Sequence, residues 1–232
     1  MSDSIRVLAD QVYEGAGITS DDTEVDERFI YDLIGNQRAL WLSREINKGY
    51  LAHEALNQDL TCLDMELADP GECCDPALNC KVLRTVLEIP QPLLANSRAM
   101  ITRVGPLNKF SKSFNIIPYS RVPYFGSGKF NKNAVYAVYL NDRIYLVSKN
   151  EDVNFIEKIN VRGIWEDPLL IGTYTDCGPN PCWTVDDDYP LSRKMWAEHI
   201  KQYVIDEVQR KRMVKQDTEN DSQDESIGSQ KR

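Results

Sequence analysis

The sequence is poor in the residues and motifs that most catalytic sites require. Its only two histidines, His53 and His199, are far apart in the chain, and we predict both to be surface or partly packed side chains. There is no Gly-x-Ser-x-Gly elbow, and Gly126-Ser127-Gly128-Lys129 lacks the spacing of a phosphate loop and predicts an ordinary turn. We therefore expect no enzyme activity, no catalytic residues and no cofactor.

Long apolar runs and an excess of positive charge are also missing. No run approaches the length of a membrane span, and residues 1–20 lack a basic start followed by an apolar core. The net charge of −9 argues against a general nucleic-acid binder, which is normally basic. These features predict a product of the cytosol without a membrane partner. The 232 residues are enough to bury the core of one medium domain.

Cysteine-x-x-cysteine knuckles are absent, although the chain has six cysteines. Without a secretory signal we predict reduced thiols, because the cytosol keeps them so. Four cysteines lie in one stretch: Cys62, Cys73, Cys74 and Cys80. They suggest an alternative function, a cytosolic metal-binding protein, but their spacing does not match a zinc knuckle and we expect no metal. Cys177 and Cys182 bracket a turn-rich loop and could close a small ring if oxidised.

A first long helix is predicted over residues 24–47. Thr23 or Asp26 can cap its start. Arg38 and Arg44 could bind phosphate, but a solvated helix face is the favoured interpretation of this pair. The apolar face of the helix includes Phe29, Leu33 and Trp41.

The last long helix is predicted from Tyr189 to about Met213. Ser192 follows a proline and is suited to cap the helix. Apolar residues then recur in steps of three and four, which is typical of one stripe along an α-helix. The stripe includes Trp196, Ile200, Tyr203, Val204 and Val208.

The residues between these helices alternate with a period of two, which predicts half-buried strands. The clearest unit is a hairpin, in which two β-rich runs, 134–140 and 143–147, flank Asn141-Asp142. Further strands are predicted near 63–67, 82–89, 100–104, 114–117 and 158–165. The fold class is therefore α+β, with a mainly antiparallel β body of about six strands flanked by N-terminal and C-terminal helices.

Three segments are predicted along the chain. Residues 1–24 form an N-terminal arm, either a short helix or extended, and residues 25–213 form a single α+β domain. Residues 214–232 are acidic, lack aromatic side chains and are predicted to be a disordered tail. The three adjacent carboxylates Asp186, Asp187 and Asp188 lack the spacing of a calcium loop and predict a solvated acidic corner.

Several motifs, taken in this order, carry a resemblance to a known family. They are Phe29-Ile30-Tyr31-Asp32-Leu33-Ile34-Gly35-Asn36-Gln37-Arg38, Trp41-Leu42-Ser43-Arg44, Leu60-Thr61-Cys62-Leu63, Cys80-Lys81-Val82-Leu83-Arg84-Thr85, Arg103-Val104-Gly105-Pro106, Ile164-Trp165-Glu166-Asp167-Pro168 and Tyr189-Pro190-Leu191. Together they resemble a virion structural protein of crAss-like tailed phages, of the kind that forms neck and tail rings below the portal. The resemblance covers most of residues 25–221.

The resemblance implies assembly rather than catalysis. Such proteins form closed rings, commonly twelve-fold, that join the portal to the tail and surround the DNA exit channel. The implied partners are copies of the chain, portal and other tail or neck proteins, and DNA that passes without sequence-specific binding. The implied location is the virion, after synthesis in the host cytoplasm.

A cyclic ring needs two different patches that meet between neighbouring copies, and the two amphipathic helices offer such patches. The predicted interface residues are Trp196, Ile200, Tyr203, Val208, Phe29, Leu33 and Trp41. The alternative is that the C-terminal stripe packs on the protein's own sheet.

Overall fold

A computed structural model describes residues 3–18, 25–50, 53–68, 82–124, 134–148 and 155–211. Helices and a mixed β-sheet occur together, so the predicted α+β class is confirmed. The chain forms two compact units, Met1–Leu42 with Val185–Arg232 and Ser43–Thr184. The single domain predicted over 25–213 stays a prediction, because compactness alone does not establish which parts fold independently. The predicted acidic tail lies outside the described residues.

The first unit contains α1, Ile5–Ala16, and most of α2, Glu27–Asn47. The Ser4 hydroxyl accepts a hydrogen bond from the backbone N–H of Val7 and caps α1, so this part of the predicted arm is helical rather than extended. The Asp26 carboxylate accepts from the Arg28 N–H at 3.2 Å at the start of α2. Thr23, the other predicted cap, lies outside the described residues.

The third helix, α3, spans 193–211 and begins at the predicted cap. The Ser192 hydroxyl accepts from the Met195 N–H at 3.2 Å. The helix then widens into a π-helical turn at Trp196–Ile200 before it continues as an α-helix over 201–211. A π turn adds a residue to the helix and rotates everything after it relative to what came before. The stripe of buried residues nevertheless continues through it: Met195, Trp196, Ile200, Val204, Ile205 and Val208.

The second unit is built on a seven-stranded sheet with the order β5-β9-β1-β2-β8-β7-β6. Its neighbouring strands pair antiparallel except for β6 and β7, which are parallel. The bounds are β1 Gln58–Leu67, β2 Leu83–Thr85, β5 Ile101–Gly105, β6 Asn115–Ile116, β7 Tyr136–Leu140, β8 Arg143–Val147 and β9 Lys158–Gly163. A separate ribbon pairs β3, Leu94–Ala95, with β4, Arg98–Ala99.

The two ends of this sheet meet. The N–H of Phe114, just before β6, donates to the carbonyl oxygen of Val104 in β5 at 2.8 Å. The strands at opposite ends of the sheet order are therefore neighbours, and the sheet curls towards a barrel.

The hairpin of β7 and β8 has the predicted two-residue turn. Asn141 and Asp142 both adopt positive φ angles, 49° and 55°, which is the conformation of a type I′ turn. The predicted strand over 82–89 is too long, because β2 ends at Thr85. Arg143 explains the difference, since its guanidinium group donates to the carbonyl oxygens of Thr85 and Val86, where a strand would continue its ladder.

The core of the second unit includes Trp165, the largest fully buried side chain among the described residues. Its indole N–H donates to the carbonyl oxygen of Gln58 at 3.4 Å, so the ring is held against β1. Aliphatic residues of the sheet surround this core: Leu60, Ile144, Leu146, Ile159 and Val161.

The structure joins Cys62 to Cys177 by a disulfide, with the two Cα atoms 5.1 Å apart. The prediction of reduced thiols is therefore wrong for this pair, and so is the pairing considered for Cys177 and Cys182. An irregularity in β1 brings the pair together, because the register with β9 shifts between Leu60 and Leu63 and Cys62 takes a φ of 57°. Cys182 is a free thiol, 3.4 Å from the Thr61 hydroxyl.

Candidate functional site

The sites that sequence reasoning considered for metal or catalysis do not assemble in the described part of the chain. No group of three or more His, Cys, Asp or Glu side chains there could hold a metal ion. Asp186 of the acidic corner is exposed and forms an ion pair with Arg6 at 2.6 Å. Cys62 is in the disulfide, and the other three cysteines of the suggested zinc cluster lie outside the described residues, as does the turn at 126–129.

The two histidines are surface side chains, as predicted: one caps a short turn and the other packs on an aromatic ring. His53 accepts a hydrogen bond from the Ala55 N–H through Nδ1 at 3.1 Å and caps a short 3₁₀ turn, Glu54–Leu56. His199 stacks on the Trp41 ring with 4.9 Å between centroids. Neither is placed beside a nucleophile in these contacts.

Two ring contacts fix α2 against α3 within the first unit. The Lys211 ammonium lies 3.7 Å from the centroid of the Phe29 ring, and Trp41 stacks on His199. Phe29 and Trp41 are as far apart in α2 as their partners, Lys211 and His199, are in α3, but the order is reversed. The two helices therefore run antiparallel, and their register stays constant over this length. One side of α2 therefore packs against one side of α3, and their other sides can contact other parts of the unit or another molecule.

The predicted interface residues separate into two groups in this unit. Trp196, Ile200 and Val208 are buried, with Trp196 only 4% exposed. Tyr203 is 45% exposed, and the α2 residues Phe29, Leu33 and Trp41 are half-buried. Only the second group can touch a neighbouring molecule without rearrangement. The part of either group in an interface stays a prediction.

The buried part of the α3 stripe contacts helices. The Trp196 indole N–H donates to the Gln11 side chain of α1 at 2.8 Å. A Cβ at Gly15 would lie 2.5 Å from the end of the Ile205 side chain, so a glycine lets α1 approach α3 at this point. The alternative prediction was that this stripe packs on the protein's own sheet, whereas these contacts are with helix α1.

Arg38 corrects the expectation of a solvated arginine pair. It is fully buried, while Arg44 is exposed as predicted. Ile30, Ile34 and Arg38 stand four residues apart and therefore lie on the same, buried side of α2. This position explains why Arg38 is buried although its side chain is charged. Its Nε–H donates to the carbonyl oxygen of Pro190 at 2.8 Å, and its guanidinium carbon lies 5.9 Å from the centroid of the Tyr189 ring. Arg38 therefore holds the segment that leads into α3 and is not available to phosphate.

The tyrosines with perturbed acidity act as hydrogen-bond donors. Burial, followed by a hydrogen bond to the Glu27 carboxylate, raises the pKa of Tyr31 to about 12. Burial and the Asp142 carboxylate, 2.5 Å away, also raise the pKa of Tyr139. Both phenols stay protonated at neutral pH, so neither can serve as a base there.

Sequence reasoning missed a groove of about 580 Å³ in the second unit. The β3–β4 ribbon, β5, β6 and the residues after β6 line it, with Tyr139 at one side. Its walls combine apolar side chains with two arginines, Arg98 and Arg121. No local sequence pattern indicates it, because three of the strands that line it are only two residues long and the curl of the sheet brings its walls together.

Comparison with known families gives the class of protein. A family model described as phage tail ring protein 2 matches residues 7–226, which include most of both compact units. The chain belongs to the CrAss phage tail ring protein 2 family. It is thus a structural protein of a phage tail ring, located in the virion, and its resemblance to crAss-like phage ring proteins is confirmed. No curated protein matches the chain. Among the described helices, none is long and apolar enough to cross a membrane.

Proposed function

We propose that copies of this chain close into a ring in the neck of the virion, with the twelve-fold symmetry common among such rings. The ring joins the portal to the tail and catalyses no reaction. The observation that carries the proposal is the family match over residues 7–226. Its partners are other copies of the chain, the portal, and other tail or neck proteins. Synthesis takes place in the host cytoplasm, and the ring then becomes part of the particle.

The first unit supplies the surface that we assign to contacts between copies. Because α2 and α3 are held against each other by ring contacts, their outward faces form one rigid surface. Tyr203 on α3 and Leu40 on α2 are both exposed, and we assign Tyr203 to this surface because rigid aromatic side chains lose little conformational entropy when they bind. We include Phe29, Leu33 and Trp41 in this surface through the parts of their side chains that stay exposed, whereas Trp196, Ile200 and Val208 are buried.

The ring surrounds DNA in this proposal without binding it. The net charge of −9 suits a wall that repels the phosphate backbone and lets the duplex slide. A binding titration with double-stranded DNA at physiological ionic strength should therefore show no saturable affinity. Tight binding that weakens steeply with added salt would contradict this part of the proposal.

Native mass spectrometry and electron microscopy of the purified full chain, alone and with the portal protein, test the ring itself. Closed rings, or a ring formed on the portal, are the expected result. A chain that stays monomeric and binds neither the portal nor another virion protein would refute the proposal.

A pair of matched substitutions tests the assigned surface. Tyr203→Asp should prevent or weaken ring closure, because it places a charge in a contact that excludes water. Tyr50→Asp changes an equally large exposed tyrosine of the second unit and should leave assembly unchanged. Equal assembly of both variants would remove Tyr203 from the interface.

A further inference from the structure

The groove of the second unit has walls that suit a peptide. Three of its apolar side chains are strongly exposed: Leu94 by 54%, Ile116 by 40% and Tyr119 by 60%. Exposed apolar side chains gathered in one concave site are typical of surfaces that a partner covers. The groove therefore offers apolar contact to a chain segment.

The charge of the groove specifies the kind of segment. Arg98 and Arg121 line it, and none of the described residues that line it is a carboxylate. Both guanidinium groups are exposed, and neither forms an ion pair with another described residue. Arginine side chains in this state favour carboxylates, which they can bind with two parallel hydrogen bonds. The groove thus fits an acidic segment that also carries an apolar residue.

The chain itself contains a segment of this composition. Residues 214–232, after α3, hold five acidic side chains against three basic ones, and the acidic ones lie together between Asp217 and Glu225, next to Ile227. A segment of this length reaches roughly 60 Å when extended, which is ample to reach an adjacent molecule. Its composition is poor in the apolar residues that would build a core of its own, so a partner surface is the way for it to bury Ile227.

We propose that this groove binds the acidic segment 214–232 of a neighbouring copy of the chain. The groove and the segment are different patches, so their contact is heterologous and repeats from copy to copy until a ring closes. This inference rests on the proposed function and names a contact through which ring neighbours hold one another. Arg98 and Arg121 bind the carboxylates, and Leu94, Ile116 and Tyr119 receive the isoleucine.

Two full-length variants test the contact between copies. The groove variant carries Arg98→Glu and Arg121→Glu. The segment variant carries Asp217→Asn, Glu219→Gln, Asp221→Asn, Asp224→Asn and Glu225→Gln. Neither should associate with itself through this contact, whereas an equimolar mixture should form one-to-one pairs in native mass spectrometry, because one member keeps the segment and the other keeps the groove.

Affinity is measured with a labelled synthetic peptide of residues 214–232, titrated into the full-length segment variant, whose own segment does not compete. Saturable binding is expected. Adding Arg98→Glu and Arg121→Glu should weaken it about tenfold or more, because each reversal replaces an attraction by a repulsion. The matched control adds Arg28→Glu and Arg44→Glu, which reverse two exposed charges of α2 outside the groove and should leave the affinity unchanged.

Three outcomes overturn the inference: no binding of the peptide, binding that ignores the groove substitutions, or a mixture that forms no pairs. Peptide binding without pairs would mean that the segment binds its own chain or another tail protein. The proposed function fails separately, if pairs form in the mixture but the unmodified chain never closes into rings. Conversely, rings of the unmodified chain without peptide binding would leave the function standing and remove only this contact.

Discussion

Replacing Cys177 by serine tests the link between two parts of the second unit that are far apart in sequence. The disulfide to Cys62 closes a loop of 115 residues. In the chain-entropy relation, a loop of this length removes about 16 cal/mol/K from the unfolded chain, or about 5 kcal/mol at 25 °C. Because measured effects usually fall below this value, we expect Cys177→Ser to lower the free energy of unfolding by about 2–5 kcal/mol.

Guanidinium unfolding, followed by tryptophan fluorescence and far-ultraviolet circular dichroism, measures this change. Reduced wild-type protein should match Cys177→Ser, and the variant should be insensitive to reductant. Cys182→Ser, which removes a free thiol, is the matched control and should unfold like the oxidised wild type. The reasoning is refuted if mass spectrometry after alkylation finds Cys62 and Cys177 free in the oxidised protein, or if oxidised wild type and Cys177→Ser unfold at the same denaturant concentration.

Three further predictions concern single side chains. Arg38→Ala should lower the free energy of unfolding by about 2–4 kcal/mol, because it leaves a buried carbonyl oxygen without its donor and opens a cavity. The matched control, Arg44→Ala on the exposed face, should change the free energy of unfolding by less than about 0.5 kcal/mol. Chemical denaturation compares the two variants. Gly163→Ala should destabilise the protein by about 1–3 kcal/mol, since its Cβ would lie 2.9 Å from a backbone oxygen. Gly35→Ala in α2 meets its nearest neighbour at 3.8 Å and should stabilise the protein by about 0.5–1 kcal/mol. Similar thermal midpoints for the two variants would contradict this reasoning. Tyr31 should ionise near pH 12 in an ultraviolet titration that compares wild type with Tyr31→Phe. Because its folded pKa is raised, its stabilising effect is present below pH 10 and is lost as the pH rises through about 12. Ionisation at pH 10 in the folded protein would show that neither burial nor the glutamate contact acts on this phenol.

Local chemistry made part of the fold predictable from the sequence. Asn141 and Asp142 tolerate positive φ angles, so the hairpin could be located to the residue. Ser192 could be recognised because a capping hydroxyl acts on an N–H only three residues away. The α+β class followed from the change of period between the helices and the strands.

Features that depend on distant residues could not be predicted in this way. Arg38 is charged, and only the packing of α2 in the first unit shows that it is buried. The disulfide depends on a strand irregularity that leaves no mark in the sequence near Cys62. The groove needs three separate stretches of the chain, within residues 94–101, 116–121 and at Tyr139. The acidic composition of residues 214–232 is evident from the sequence, but by itself it predicts only a disordered tail.

The meeting of β5 with the start of β6 has a consequence for how the protein is made and stored before assembly. A sheet with two open edges presents unpaired N–H and C=O groups, and many copies at high concentration could extend each other's sheets without limit. Closing the sheet through the bond from Phe114 to Val104 withdraws those groups from other chains. At this junction, copies then meet through side-chain surfaces, which fix a single geometry. A curled sheet thereby favours an assembly with a definite number of members over an open-ended fibre.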